Sequence, residues 1–406
     1  MESFNQLLYQ LHLSYLEARK NKRNTHNQLA FELNQEIKLH SLAKDISNRK
    51  YMPKPCIAFI IQKPVMREIF AADFSDRVIH HLIYRCIYKD IDKRLIFDTY
   101  SCREGKGTLF GINRTKKFIR SCSEDYTKST YYLKLDIEAY FMNMDHDILY
   151  KKVLAMIPSS KNSFLGISRE TLLYLIKQTI FNNVSKNCRI KGSKLNWEGL
   201  PYSKSLFNYP SYKGLPIGNL TSQVFGNVYM NDLDHFIKKD LKLKYYGRYV
   251  DDMLFVHNDK SYLKSIIPKL HEFLNSELKL NIHPNKIVLN SIDKGIPFLG
   301  QIINPHCSYI SNRTKNNFYQ AIQEVNKLMA VVPQFSWKQL CDIRAKINSY
   351  LGYMKHANSY KLRKSMLRKL IRRFYDFYFV KGEFKKVVIN IDFWQWHFSQ
   401  NYQFIN

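Results

Sequence analysis

Apolar spacing along the chain switches between the two-residue period of strands and the three-to-four-residue period of helices. Residues 1–50 read as mostly helical, with a polar break at "RKNKRNTHN" (19–27). "YMPKPCIAFIIQKP" (51–64) is bracketed by prolines and rich in β-branched and aromatic residues, so it reads as extended. Residues 67–91 place Val78, Leu82, Ile83, Ile87 and Ile91 at helical spacing and predict one helix. "STYYLKLDIEAYFMNM" (129–144) begins as a strand, and residues 181–213, rich in Asn, Ser, Lys, Gly and Pro, predict a hairpin or a long surface loop. Residues 214–241 turn into a helix, 244–258 read as two strands around a turn, 261–278 as a helix, and 296–303 as a single strand. Beyond about residue 315 basic amphipathic helices follow, then an aromatic tail, "FWQWHF" (393–398). This order predicts an α+β fold with a mostly antiparallel sheet, not a doubly wound nucleotide fold.

Composition narrows the function. With 406 residues, 45% of them hydrophobic, the chain is long enough for two or three packed subdomains and is not a disordered protein. No stretch approaches the ~20 apolar residues that span a bilayer. The first residues lack a basic n-region and a cleavage site, and the seven cysteines are scattered without a CxxC pair. Together these predict a cytoplasmic protein with reduced thiols and no membrane partner. Charge changes the picture most. Lys plus Arg number 63 against 34 Asp plus Glu, a net +29, which calls for a polyanionic partner. With 28 Tyr and 26 Phe to stack on bases, nucleic acid fits better than an anionic membrane surface or mere solubility.

The candidate chemistry lies in acids set among apolar residues. Asp136 ends the strand of "LKLDIEAYF", and Asp251 and Asp252 sit at the turn of "RYVDDMLFV". A bend presents two consecutive acids that a straight strand would send to opposite faces. Three carboxylates converging at strand ends suit Mg²⁺, and two such ions (Mn²⁺ being the alternative) can hold the attacking and leaving oxygens of an in-line phosphoryl transfer. Most Asp-Asp pairs are exposed turn residues; the apolar flanks and the upstream acidic strand set this one apart. Arg103 and Lys106 follow a turn with Gly105 and Gly107, whose backbones allow close approach to a triphosphate. "EGKGT" lacks P-loop spacing. The pairs His80–His81 and His306–Cys307 lack zinc-ligand spacing.

"YVDD" resembles the hallmark of reverse transcriptases, and further stretches resemble that family's motifs in its order. These are 63–84, "YSCREGKGT" (100–108), "LDIEAYF" (135–141), "GLPIGNLTSQVFGN" (214–227), "LNIHPNKIVL" (280–289), "FLG" (298–300) and "INSYLGYMKHANSYKLRK" (347–364). "IGxxxSQ", with Ile217 before Gly218 and Gln223 after Ser222, is similar to the pattern of reverse transcriptases from bacterial diversity-generating retroelements. The resemblance implies a right-hand polymerase: fingers over 1–130, a palm with antiparallel sheet over 131–312 carrying an insertion at 158–213, and a helical thumb and tail over 313–406. It implies RNA-directed DNA synthesis from dNTPs, with an RNA template and nascent cDNA as partners.

The resemblance also assigns roles. Asp136, Asp251 and Asp252 with the Ile137 carbonyl would hold the metals, and Lys286 would protonate pyrophosphate. Phe141 would exclude a 2′-hydroxyl. Ile217, Gly218 and Gln223 would face the nucleotide. Arg67, Arg77, Tyr249, Phe298, Leu299, Gly300, Lys361, Arg363 and Lys364 would hold template and primer. For the subfamily it implies a template-repeat RNA, errors opposite template adenines, and a small, basic, oligomeric accessory protein of the accessory-variability-determinant type. The rival readings are an anti-phage defence reverse transcriptase and a non-catalytic RNA-binding protein with the same fold. The intact acids speak against the last.

Overall fold

A computed structural model of the chain describes residues 3–20, 25–62 and 65–395. It divides into two compact units, Met1–Gly111 with Tyr131–Leu289, and Ile112–Thr130 with Asn290–Asn406. The chain passes between the units at the expected 130/131 boundary, but residues 1–111 share a unit with 131–289, so 1–130 and 131–312 are not separate compact bodies. Change of pattern along a sequence marks elements, whereas compactness depends on which apolar faces meet.

In the first unit, Tyr131–Leu135, Tyr245–Tyr249 and Asp252–His257 form an antiparallel sheet with Asp252–His257 between the other two. The middle strand buries Met253, Leu254, Phe255 and Val256 in succession, because both sheet faces are covered. The helix Lys260–Leu278 packs Leu263, Ile266, Leu270, Leu274 and Leu278 into the same core, the three-to-four spacing expected of one buried stripe.

Residues 67–91 correct the single-helix reading. Arg67–Ala71 is a strand, antiparallel to Cys56–Ile61, and the helix Phe74–Arg94 starts only after Asp73, whose carboxylate caps the Ser75 amide at 3.0 Å. The insertion carries the helix Arg169–Ile180 and is largely irregular beyond it, but Cys188–Ile190 adds a parallel strand to Cys56–Ile61. Glu68 anchors it. Its buried carboxylate accepts from Trp197 Nε1, Ser205 Oγ and the Leu206 amide, each at 2.7 Å. Three donors replace the water that this carboxylate loses.

In the second unit, Ile296–Phe298, Gln301–Ile303 and Ser308–Ile310 form an antiparallel meander. The single strand expected at 296–303 is thus a hairpin, turned at Leu299 and Gly300, both with positive φ. Helices Asn312–Val331 and Trp337–Met354 bury Phe318, Ile322, Val325, Met329, Leu340, Ile343, Ile347 and Leu351 in a common core. A second hairpin, Tyr378–Lys381 with Lys386–Ile389, follows where only helices were expected. Each strand is three consecutive apolar residues with one lysine at its end, too short to carry a periodic signal. Phe393 and Trp394 pack against this core, while residues 396–398 of the aromatic tail lie outside the described residues. Among the described residues, no helix is long and apolar enough to cross a membrane.

The hairpin is tied to helix Trp337–Met354 by one side chain. Asn348 donates to the Val387 carbonyl at 2.8 Å and accepts from the Val387 amide at 2.7 Å, as a neighbouring strand would. Asn348→Ala leaves both groups unpaired and is expected to lower the stability of this unit by about 1–3 kcal/mol. Asn348→Asp, which keeps the acceptor, should fall between. Urea unfolding of the three proteins checks this; equal midpoints would show that the amide does not hold the hairpin.

Candidate active site

The register of the sheet builds the site. Tyr249 pairs with Asp252, so Val250 and Asp251 form a two-residue loop and Asp252 opens the next strand. Leu135 pairs with Met253, which sets Asp136, the next residue after that strand, across from Asp252. Lys134 pairs with Leu254, so Lys134, Asp136 and Asp252 share one face of the pleat. Val250 has φ +58°, a left-handed conformation that is strained for a β-branched residue. The turn therefore presents Asp251 only because its surroundings hold it there.

Charge on this face is closely matched. Lys286 Nζ meets Asp136 Oδ1 at 2.7 Å, and Lys134 Nζ meets Asp252 Oδ2 at 3.1 Å. Burial pushes the Asp251 carboxyl up to about 6, with the Asp136 charge adding to it and Lys286 and Arg67 pulling the other way. Burial likewise raises Asp252 to about 7 against the pull of Lys134. Among the described residues, no group of three or more His, Cys, Asp or Glu side chains stands at ligand spacing. The expected convergence of three carboxylates is thus an electrostatic cluster, with two of the three closed by lysines, rather than a finished cage. The residues still fit a hard cation. Asp252 Oδ1 is buried with no hydrogen-bond partner, and the donors are all oxygens. Ile137 bridges Ile282 through the hydrogen bonds His283 N to Asp136 O (2.8 Å) and Glu138 N to Asn281 O (2.9 Å), which leave its own carbonyl outside the pair.

Behind the turn lies a polar cluster that the sequence reading missed. Arg248 and Asp234 are an ion pair with both side chains fully buried, Nη2–Oδ2 at 2.6 Å and Nε–Oδ1 at 2.9 Å. Burial opposes the Arg248 charge, and Asp234 more than offsets it. Tyr246 Oη donates to Asp234 Oδ1 at 2.7 Å and Thr99 Oγ1 to Oδ2 at 3.3 Å. The Arg248 amide donates to Asp98 O and the Arg248 carbonyl accepts from Tyr100 N, both at 2.9 Å, in a parallel bridge with Thr99. Arg248 Nη1 donates to the Val250 carbonyl at 2.8 Å, and the Val250 amide donates to Ser101 Oγ at 3.1 Å. An arginine alone in an apolar run was the available signal for Arg248. Lys134, two residues before Asp136, was legible from the strand period.

The other expected residues divide. Phe141 is half-buried beside Tyr140, with ring centroids 5.1 Å apart, and a Cβ on Gly226 would lie 3.4 Å from its ring. Gly218 has φ +120° with Ile69 against it, so only glycine fits easily there. Ile217 packs half-buried on the cluster of Cys56, Phe70 and Met142, and Gln223 is exposed. Tyr249 is half-buried. Arg67 is exposed and its charge acts on Asp251.

Several cations are engaged elsewhere. Arg103 is 6% exposed, paired to Asp92 at 2.6 Å and donating to the carbonyls of Asp92, Ile96 and Thr99; it braces the loop rather than facing outward as expected for a triphosphate ligand. Lys106 lies over the Phe97 ring at 4.4 Å. Arg77 Nε donates to the Ala72 carbonyl at 3.0 Å. In the second unit, Phe298 is core, and Tyr353 Oη donates to the Leu299 carbonyl and would lie 2.8 Å from a Cβ on Gly300. Arg363 is buried and holds Ser359 Oγ (3.2 Å) and the Glu383 carbonyl (3.1 Å), which corrects its expected place on a nucleic-acid backbone. Lys361 is exposed and Lys364 half-exposed.

Gly247 shows how tightly the turn is backed. A Cβ there would stand 2.0 Å from Tyr100 Oη. Gly247→Ala is expected to destabilise the protein by about 1–3 kcal/mol through overpacking, read as a fall in melting temperature. An unchanged melting temperature would mean that Tyr100 moves away without cost.

No curated protein matches the chain. Among solved structures, telomerase from Candida albicans, determined in complex with the TWJ fragment of telomeric RNA, is similar at 13% identity and a TM-score of 0.46, over 81% of this chain and 61% of that one. Apo telomerase from Candida tropicalis is similar at 14% identity and a TM-score of 0.45, over 85% of this chain and 62% of that one. The chain thus spans 61–62% of the length of these two telomerase chains. The family model for reverse transcriptase (RNA-dependent DNA polymerase) matches residues 62–303 and takes in every acid of the cluster. The acidic turn, the antiparallel strands that carry it and that match together place this chain in the reverse transcriptase family.

Proposed function

We propose that the protein is an RNA-directed DNA polymerase working through Asp136, Asp251 and Asp252. The observation that carries this is the acid cluster at the ends of paired strands, with Asp252 Oδ1 buried and lacking a partner. These carboxylates and the Ile137 carbonyl would hold divalent ions, Mg²⁺ or Mn²⁺. When bound, such ions supply activation of a 3′-hydroxyl and stabilisation of charge on the phosphoryl group. The chain's own residues do the rest. Arg67 and Lys286 bring positive charge to the face where a triphosphate would lie, and Lys286 Nζ carries a proton that leaving pyrophosphate can take. The Phe141 ring, backed by Gly226, closes the space where a 2′-hydroxyl would sit.

In this reading residues 1–130 are fingers, 131–312 palm and 313–406 thumb. Lys361 and Lys364 face nucleic acid, and the turn at Phe298, Leu299 and Gly300 meets the primer. The net charge of +29 suits an RNA template and a growing cDNA.

Asp251→Asn keeps the shape of the turn and removes a charge. It is expected to lower dNTP incorporation on an RNA template by roughly 10²–10³-fold. Wild-type incorporation by the Asn variant would remove the acid cluster from the chemistry.

The narrower proposal is a polymerase of a diversity-generating retroelement, copying a template-repeat RNA with errors opposite adenines and aided by a small, basic, oligomeric accessory protein. It is supported by Ile217 and Gly218. Ile217 offers only an apolar surface, where Gln would offer hydrogen bonds that a wrong base pair leaves unsatisfied. Ile217→Gln is therefore expected to lower the error rate by about tenfold, equivalent to about 1.4 kcal/mol of discrimination. Deep sequencing of cDNA from a defined RNA checks this. Errors spread evenly over the four template bases in the wild type would sink the retroelement reading while leaving the polymerase standing.

A further inference from the structure

We propose that Ser101 and Arg248 are positioning residues that set the catalytic turn through the two polar groups of Val250. Val250 holds a β-branched side chain at φ +58°, a conformation that persists only where the surroundings over-determine it. Relaxation to negative φ would rotate the peptide that carries Asp251. Both ends of that relaxation are blocked. The Val250 amide is held by Ser101 Oγ at 3.1 Å and its carbonyl by Arg248 Nη1 at 2.8 Å.

Each clamp is itself fixed. Asn227 Nδ2 donates to the Ser101 carbonyl at 2.8 Å, and Asp234 grips Arg248 through both carboxylate oxygens at 2.6 and 2.9 Å. Ser101, Asn227, Asp234 and Arg248 are each no more than 3% exposed, so water does not stand in for a lost bond. The clamp therefore joins three stretches far apart in sequence: residues 99–103, the helix Leu220–Tyr229 and the turn itself. Arg103 fastens the first of these to Asp92 and to the Ile96 and Thr99 carbonyls. The segment that leads to Lys106 and the turn that presents Asp251 and Asp252 thus share one rigid base.

The inference rests on the reading that Asp251 and Asp252 hold divalent ions. It is tested with the full chain carrying Ser101→Ala, and with Ser101→Thr, which restores the hydroxyl. Three measurements are made: Mn²⁺ binding without nucleic acid, followed by electron paramagnetic resonance; the Mg²⁺ dependence of dNTP incorporation; and the melting temperature. A misplaced carboxylate weakens metal binding and slows chemistry more than it affects nucleotide affinity. Ser101→Ala is expected to weaken Mn²⁺ binding and raise the Mg²⁺ half-saturation by roughly 5–10-fold. It should lower kcat by about 10–100-fold and leave KM for dNTP within about twofold. Ser101→Thr should recover both metal readouts.

If Ser101→Ala binds Mn²⁺ like the wild type and only melts earlier, the clamp is merely structural and the proposal is overturned. Should Ser101→Ala fail to fold, Arg248→Lys carries the same test. It keeps the buried charge against Asp234 and has no second arm for the Val250 carbonyl. Failure of the wild type itself to bind Mn²⁺ would overturn the ion-site reading, and this inference with it.

Discussion

A guanidinium taken out of water needs a carboxylate and enough acceptors to replace its hydration, and Arg248 has both. Asp234 neutralises it, Val250 accepts its remaining arm, and Tyr246 and Thr99 complete the carboxylate. Removing one partner from such a pair commonly costs about 3–5 kcal/mol, because it leaves the other charge buried alone. Much of the local architecture follows from satisfying it. Gly247 lacks a side chain because Tyr100 Oη fills that space. Residues 98–101 run beside the strand because the Arg248 backbone bonds on that side. The left-handed turn is tolerated because the cluster holds it from behind.

In front of the turn the electrostatics are of the opposite kind. The carboxyls of Asp251 and Asp252 are raised by burial and by their acidic neighbours, and the cations on this side, Lys134, Lys286 and Arg67, sit at the rim or in solvent. A flexible ammonium can leave a carboxylate at little cost, since half-exposed pairs contribute little to stability. The two sides of one turn therefore divide the work. The buried side is rigid and closed to water, and the open side holds charges that can change partners.

Legibility depended on what kind of signal each residue carries. The acidic turn and the strand ending at Asp136 stand out because acids are rare amid apolar residues, and the sheet register bears out their placement. Cations carry no such mark. Arg103 and Arg363 look in sequence like the exposed Lys361, yet both arginines brace loop carbonyls. Glu68 falls in the stretch read as one helix, yet it lies on a strand and is the buried anchor of the insertion. The helical reading of 67–71 failed because five residues with alternating burial fit either period, and pairing with Cys56–Ile61 decided it.

By itself the sequence determined the class of fold, the order of motifs, the excess of positive charge and the three acids set among apolar residues. Each of these rests on local pattern or composition, which a chain carries whether folded or not. Only the tertiary structure decided which cation meets which carboxylate, that Arg248 pairs with Asp234, and that Ser101, from a distant segment, holds the amide of Val250. These contacts join residues up to 150 positions apart. No local period reports such pairings, because they arise only when separate elements bury their faces against one another.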